Sequence, residues 1–133
     1  MGKSIKLKND IFFNGEICDM GSNANGTYIK WANGLMVCFN TQTFTNVQCT
    51  TQWGNTYCNS GDRRLFNHFP KSFKEKPTIL KSLNGGSGNG WLITDTYNGA
   101  GSVDNAGGWF VARATSLSNM EVIASYVAIG KWK

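Results

Sequence analysis

Charged residues, histidine, proline and long apolar runs are all scarce in this 133-residue chain. Only 16% of the residues are charged, and there are one histidine and two prolines. No run approaches the roughly 18–20 apolar residues that span a bilayer, and the first ten residues lack the apolar segment of a secretory signal. We therefore expect no membrane insertion. The CxxC spacing of zinc sites is also missing, so neither a metal nor another cofactor is expected.

Sequence motifs of hydrolytic enzymes are missing as well. With a single histidine and neither GxSxG nor HExxH, nucleophilic and zinc-dependent hydrolysis are disfavoured. The eight carboxylates lie among polar residues rather than in the apolar context that raises the pKa of a general acid. We therefore predict that the chain is not an enzyme, and we keep a glycan-degrading enzyme as an alternative.

Glycine and aromatic residues are abundant instead. The chain has 16 glycines, 5 tryptophans, 4 tyrosines and 8 phenylalanines, which favours strands and turns over helices. Apolar and polar residues alternate with a period of two, as in strands buried on one face. The predicted fold class is all-β, an antiparallel sandwich or barrel, with strands over residues 4–13, 26–32, 34–44, 47–58, 77–83, 90–97, 108–115 and 122–132.

Turn signals refine this prediction. Asn33-Gly34 is a strong hairpin signal, because primed turns need positive φ at both central residues, and so the flanking strands should pair. The segment 62–77 ends in a proline that cannot donate to a ladder, and it is predicted as strand, turn and strand. The Gly-rich stretches 84–90 and 98–108 are predicted as exposed loops.

Two predicted strands carry a distinctive pattern of faces. In the strand over 47–58, one half-buried face holds Val47, Cys49, Thr51 and Trp53. The last strand is apolar on both faces, since Val127 and Ile129 alternate with Tyr126, Ala128 and Trp132. A strand buried on both sides needs two covers, and a neighbouring subunit is the natural second one. A central strand of a closed monomeric sandwich is the alternative.

The four cysteines, Cys18, Cys38, Cys49 and Cys58, lie 20, 11 and 9 residues apart. We favour free thiols packed as small apolar side chains, with Cys38 and Cys49 buried. A disulfide between Cys49 and Cys58, closing a hairpin, is the alternative.

The net charge is +5, and the densest basic group is Lys71, Lys74, Lys76 and Lys81. A positive field of this size attracts anionic surfaces more readily than it reads nucleic acid, which is not expected as a partner. A binder of single-stranded nucleic acid stays an alternative, because Phe69 and Phe73 lie near those lysines.

Three ordered motifs, spread over about 110 residues, resemble the C-terminal domains of phage tail-fibre proteins. The first is NGTYIKWANGLMVC, residues 25–38, and matches NGxYIKxxxG(T/L)MxC. The second, FPKSFKEKPT, residues 69–78, matches FPxxFxxxPT, and the third, YVAIGKW, residues 126–132, matches YxAIGxW.

The resemblance implies an H-type-lectin-like antiparallel β-sandwich that forms a parallel homotrimer and binds sugars near the clefts between protomers. Residues 1–21 would then be an N-terminal arm, the end of the fibre shaft, and residues 22–133 the receptor-binding head. The implied place is the tip of a tail fibre in the virion. The implied partner is a host surface glycan or teichoic acid, and a purely structural trimerisation cap is the alternative.

H-type lectins contact sugar through an aromatic residue and a histidine before the last strand. The corresponding stretch here, residues 116–121, reads SLSNME. This departure means that the family's site residues do not carry over to this chain.

Candidate ligand-binding residues therefore come from the loops, because sugars need aromatic rings to stack on and forked polar groups for their hydroxyls. We predict stacking by Trp91, Tyr97 and Trp109, and hydrogen bonding by Arg63, Asp95, Asn98, Asp104 and Arg113. Trp31, Trp53 and Trp132 are assigned to packing. The loops 60–68, 84–90 and 98–108 are expected to lie together at the end opposite the N-terminal arm.

Overall fold

The structure, a computed structural model, describes residues 15–93 and 100–133. Every regular element in these two ranges is a β-strand, and none is a helix, which confirms the all-β prediction for them. No helix that could cross a membrane is found there. The strands are β1 (Ile17–Asn23), β2 (Gly26–Trp31), β3 (Leu35–Cys49), β4 (Thr51–Trp53), β5 (Thr56–Cys58), β6 (Arg64–Leu65), β7 (Thr78–Gly86), β8 (Trp91–Ile93), β9 (Gly108–Arg113) and β10 (Leu117–Lys131).

The first sheet has the strand order β1-β2-β3-β10-β7, and all its neighbours are antiparallel. Its centre is the pair of long strands β3 and β10, in which Val127 lies opposite Phe39 and Ile129 opposite Val37. The even-numbered residues 120–128 of β10 are buried, whereas Val127 is exposed. The last strand therefore has two apolar faces, as predicted, and this chain buries only one of them.

The second sheet has the order β4-β5-β9-β6. In addition, β8 pairs with β9 on the edge opposite β5. Ala112 of β9 lies opposite Cys58 on one side and opposite Trp91 on the other. All these pairs are antiparallel, so the antiparallel part of the prediction is confirmed in both sheets.

The core lies between the two sheets and is rich in aromatic contacts. The rings of Phe44 and Trp109 pack edge to face with centroids 5.0 Å apart, which joins β3 to β9. The rings of Phe66 and Phe69 pack against Tyr126 at 5.2 and 5.3 Å. Such edge-to-face pairs add about 0.5–1.5 kcal/mol each beyond the area that they bury.

The hairpin between β2 and β3 forms as predicted, but its turn differs. The Gly34 N–H donates to the Trp31 carbonyl at 3.0 Å, so Ala32 and Asn33 are the central residues of the turn. Only Gly34, with φ of 100°, has positive φ here. This matches a three-residue hairpin loop that ends in a left-handed glycine, rather than a primed turn.

The prediction of a single strand over 47–58 is wrong. β3 continues to Cys49, and the chain then folds back at Gly54-Asn55, so that β4 and β5 form a short hairpin. Val47 and Cys49 are buried, but Trp53 is 58% exposed, so the four residues do not share one buried face. Gly54 has φ of 60°, a conformation that suits a tight turn rather than a continuing strand.

The segment 62–77 forms only the first of its two predicted strands. β6 pairs with β9, and His68 forms an isolated bridge to Asn105. The remainder has no regular secondary structure. It is held in place by its side chains, because Phe66, Phe69 and Phe73 are all buried in the core.

The three motifs that carry the resemblance pack against one another, the first and third as strands of the first sheet and the second as the irregular segment beside it. The Tyr126 hydroxyl donates to the Asn25 carbonyl at 3.1 Å, and the Trp132 N–H donates to the Gly34 carbonyl at 2.9 Å. Cys38 Sγ lies 3.7 Å from the Lys71 carbonyl. The motifs therefore build this side of the core, which explains why they occur together.

All four thiols are free, with Cys38, Cys49 and Cys58 buried and Cys18 exposed, so the disulfide alternative is wrong. The predicted strand 4–13 and most of the predicted arm lie outside the described residues. The boundary predicted after residue 21 falls inside β1, which pairs with β2.

Candidate functional site

An open cleft lies where the chain passes from the first sheet to the second. It has a volume of ≈ 470 Å³ and is lined by Asn89, Gly90, Trp91, Arg113, Ala114 and Thr115. Small-molecule sites typically occupy about 300–1,000 Å³, so the cleft has room for a ligand. Trp91 is the first residue of β8 and Arg113 is the last residue of β9, so two paired strands fix its walls.

The Gly-rich segment 84–90 forms the rim of this cleft, and its glycines are needed for close packing. A Cβ atom at Gly86 would lie 2.1 Å from the Glu121 carbonyl oxygen, and the φ of Gly86 is 133°. A Cβ atom at Gly90 would lie 2.4 Å from the Val111 side chain. Below this segment lies an adjoining cavity of ≈ 230 Å³, lined in part by Leu83, Val111, Met120 and Val122.

Trp91 presents its indole to solvent beside the cleft. It is 61% exposed, although it begins a strand that is paired along its length. Its partner Ala112 lies between Val111 and Arg113, whereas Val111 belongs to the core, so Trp91 projects from the outer face of the second sheet. A large exposed indole beside an open cleft is suited to stacking on an apolar ligand face.

Arg113 borders the same cleft from the inner face of the sheet. Its Nε donates to the Asn89 carbonyl at 2.8 Å, which ties the end of β9 to the Gly-rich segment. Its Nη1 atom is buried and has no hydrogen-bond partner among the described residues. The guanidinium therefore positions the rim, and its Nη1 amino group has no acceptor within residues 15–93 and 100–133.

The cleft lies at the end of the molecule opposite the start of β1. Ile17, at the start of β1, pairs with Trp31. Trp31 in turn lies close to the end of β10, because the Trp132 N–H donates to the carbonyl of the nearby Gly34. The cleft instead adjoins the start of β10, where Gly86 is opposite Val122. The segment 84–90 was predicted at this end as a loop, but its first three residues instead continue β7.

The described residues of the other two predicted loops, 60–68 and 100–108, do not lie beside the cleft. The Phe73 N–H donates to the Val103 carbonyl, and a Cβ atom at Gly101 would lie 2.5 Å from the Ile79 side chain, so residues 100–107 sit near the start of β7. From Ala128, opposite Ile79, to Val122 is about 20 Å of strand. Residues 60–68 run along β9 instead of clustering at one end.

Trp109 does not occupy the ligand-stacking position predicted for it. It is 1% exposed and packs against Phe44, so neither face of its indole is open to solvent. It shares a face of β9 with Arg113, as predicted, but that face is the inner one. Its Nε1 atom is buried without a hydrogen-bond partner in the described part of the chain.

The remaining predicted residues lie elsewhere. Asp104 Oδ1 accepts a hydrogen bond from the Ser72 hydroxyl at 2.6 Å, so this carboxylate holds two loops together. Arg63 is exposed, with its guanidinium 5.3 Å from the ring centroid of Phe110. Asp95, Tyr97 and Asn98 lie outside the described residues.

The ion pair between Asp62 and Arg64 organises the acidic and basic cluster at residues 62–68. Arg64 Nε and Nη2 donate to the two Asp62 carboxylate oxygens at 2.9 and 3.0 Å, and the Gln48 N–H donates to Asp62 Oδ2 at 2.8 Å. The Arg64 hydrogen bond is the largest influence on the Asp62 pKa and lowers it; burial opposes this, and the Gln48 hydrogen bond adds to the lowering. This cluster fastens β6 to β3.

Sequence reasoning missed the second exposed indole and the rim residues of the cleft. Trp53 was assigned to packing, yet it stands at a hairpin tip; the Gly54-Asn55 dipeptide after it was the turn signal that could have revealed this. Asn89, Ala114 and Thr115 carry no motif. Within residues 15–93 and 100–133, no three His, Cys, Asp or Glu side chains converge as a metal site.

Comparisons with known proteins give one structural similarity. No known protein family matches the chain, and no curated protein matches it. Among solved structures, a C-terminal fragment of the R1 pyocin fibre of P. aeruginosa is similar, with 15% sequence identity and a TM-score of 0.42. The similarity covers 82% of this chain and 27% of that one.

Proposed function

We propose that this domain is the receptor-binding head of a phage or prophage tail fibre and that it binds a host surface glycan through the Trp91 cleft. The observation that carries the proposal is the exposed Trp91 indole on an open cleft, at the end opposite the start of β1. An upstream fibre shaft that joins at β1 leaves this end facing the host. The three sequence motifs that resemble tail-fibre C-terminal domains support the fibre assignment.

The chemistry of the cleft suits a sugar. An exposed indole stacks on the apolar face of a pyranose ring, and the carbonyl and side-chain amide of Asn89 and the Thr115 hydroxyl offer polar groups beside it. A teichoic acid presents similar polyol chemistry with added phosphate, and it is the second ligand class that this cleft suits.

The positions of the following three carboxylates, among the described residues, support a domain that binds its ligand without cleaving it. Asp62 is paired with Arg64, Asp104 accepts a hydrogen bond from Ser72, and the Tyr28 hydroxyl donates to Asp19 at 3.3 Å. None of these three carboxylates lines the cleft. Glycoside hydrolysis requires a pair of carboxyl groups flanking the scissile bond.

A homotrimer is part of the same proposal, and the outer face of the first sheet supports it. Its central rows run Ser22, Thr27, Phe39, Val127 and Leu80, and then Met20, Ile29, Val37, Ile129 and Thr78. These rows contain no charged residue, although Leu80 is 62% and Met20 60% exposed. An uncharged apolar face of this kind suits burial against further copies of the chain.

Trp91→Ala tests the ligand site. We expect it to weaken binding to glycans on an array, and adsorption to host cells, by about 1–3 kcal/mol, or roughly 5- to 150-fold. Leu65→Ala is the matched control, because Leu65 is also about 60% exposed on the second sheet but lies at the far end of β9.

The melting temperatures of both variants should stay close to that of the parent. Unchanged binding by a folded Trp91→Ala protein would exclude the cleft. An array without any bound glycan, combined with a stable trimer, would favour the structural cap.

A further inference from the structure

Trp91 has a counterpart on the same face of the second sheet. Ala112 pairs with Trp91 on β8 and with Cys58 on β5, and Cys58 pairs with Thr51 on β4. These four residues form one row across four strands, and paired residues in a row project from the same face. Trp53 lies two residues after Thr51 on β4, so it projects from this face as well.

The two indoles stand at opposite edges of that face. β8 and β4 are three strand spacings apart, which is about 14 Å. Trp53 is 58% exposed and Trp91 61%, and no other tryptophan of the described residues is more than half exposed. Both rings are therefore exposed on the same face of the second sheet.

The surface between the indoles is low and partly polar. Ala112 and Cys58, in the row between Trp91 and Thr51, are small and buried, and the Thr56 hydroxyl, beside Trp53, donates to the Trp53 carbonyl at 2.8 Å. Ala114, exposed just after the end of β9, lines the cleft. Two large rings separated by small side chains do not form the continuous apolar patch of a protein interface.

We propose that Trp53 is a second stacking platform for the ligand that Trp91 binds, and that this ligand is a linear oligosaccharide lying across β9 and β5. This inference rests on the proposed function. An extended glycan places an apolar ring face over each indole and leaves its hydroxyls to the intervening threonine and to solvent. A single monosaccharide reaches only one of the two rings, since these stand on strands about 14 Å apart.

The test measures how the affinity for glycans of different length depends on which of the two indoles is removed. The probe is the best-binding glycan of the array, prepared as its monosaccharide and as oligosaccharides of increasing length, and its affinity is measured by calorimetry. Trp91→Ala should weaken binding at every length. Trp53→Ala should leave the monosaccharide unaffected and weaken the longer oligosaccharides by about 5- to 100-fold, as expected for loss of one anchoring aromatic side chain.

Leu65→Ala again serves as the control, and the melting temperature of each variant shows that it is folded. If Trp53→Ala binds every length as the parent does while Trp91→Ala is impaired, the second platform is excluded and the proposed function stands. If both variants bind as the parent does, the cleft itself is excluded. Equal losses for the monosaccharide in both variants would also overturn the inference, because Trp53 would then act at the Trp91 site.

Discussion

The tryptophans show how the position of a single residue decides its role. Trp109 closes the core, Trp91 and Trp53 face solvent, and Trp132 is half-buried, with its Nε1 donating to the Trp31 carbonyl at 2.9 Å. The Lys30 ammonium lies 4.8 Å from the Trp132 ring centroid, in the range of a cation–π contact. Burial, rather than residue type, separates the tryptophans that stabilise the fold from those free to bind.

Trp109→Ala should therefore destabilise the protein strongly. Removing a buried aromatic side chain costs about 3–5 kcal/mol through lost transfer energy and the cavity that remains. Trp91→Ala, at an exposed site, should change the free energy of unfolding by less than about 0.5 kcal/mol. Urea denaturation of the two variants measures both values, and a similar loss in each would contradict the assigned burial.

The cysteines give a second prediction at this scale. Burial raises the pKa of Cys38 to about 11, and the Lys71 hydrogen bond and the Lys30 charge only partly oppose it. Since the thiolate is the reactive form, the thiolate fraction of Cys38 near pH 8 is about a hundredfold below that of a thiol with its usual pKa of about 9. With Ellman's reagent we expect one rapid thiol, Cys18, in the native protein and four after unfolding. Several rapid thiols in the native state would contradict the packing.

At the scale of elements, side-chain hydrogen bonds fasten strands that share little backbone pairing. β6 has only two residues, yet Arg64 also donates from Nη2 to the Asn46 carbonyl at 3.1 Å, and Asp62 accepts from the Gln48 N–H. Asn46 has φ of 55°, at the point where the pairing of β3 with β10 shifts register. The ion pair thus holds an irregular part of β3 in place.

Asp62→Asn should weaken this junction in a pH-dependent way. The pKa of Asp62 is lower in the folded than in the unfolded chain, so its stabilisation is present above the usual carboxyl pKa and is lost as pH falls through the folded-state value. We expect a loss of about 1–2 kcal/mol at neutral pH, at the low end for hydrogen bonds to a charged group because solvent screens this quarter-exposed pair. The difference from the parent should shrink in acid.

Thermal unfolding of both proteins between neutral pH and pH 2 measures this difference. Glu75→Gln, which removes an exposed carboxylate from another loop, controls for the loss of one negative charge. A difference between Asp62→Asn and its parent that stays constant across this range would contradict the ion-pair account.

At the scale of the whole molecule, the outer face of the first sheet governs assembly. Leu80 lies next to Val127, which lies next to Phe39, so three exposed apolar side chains are adjacent on neighbouring strands. Glu121 and Lys131 stand near the two ends of β10, away from this patch. The charge-free region is therefore central, as an interface between copies requires.

Leu80→Glu should prevent self-association. Sedimentation equilibrium of the parent should return three times the 14.6 kDa chain mass, whereas Leu80→Glu should return the mass of one chain, because a carboxylate in an apolar interface is costly to desolvate. Leu65→Glu is the matched control, since Leu65 is equally exposed but lies on the second sheet. A parent protein that is monomeric at micromolar concentration would exclude the trimer.

The sequence by itself determined most of the long strands and one of the hairpins, but neither β1 nor the hairpin of β4 and β5. Period-two alternation located β2, β7, β9 and most of β10, and Asn33-Gly34 located the β2–β3 hairpin, because these signals arise from local backbone geometry. The two apolar faces of the last strand were also predicted from the sequence.

Only the tertiary structure decided which indoles are buried and where the cleft lies. Trp91 and Trp109 each follow a glycine at the start of a strand: Trp91 is the first residue of β8 and Trp109 the second residue of β9. Their local sequences are therefore nearly equivalent. β9 pairs on both edges and turns Trp109 toward β3, whereas β8, which pairs only with β9 among the described strands, turns Trp91 outward. Strand pairing sets which face meets the core, and no local pattern specifies the partner of a strand in advance.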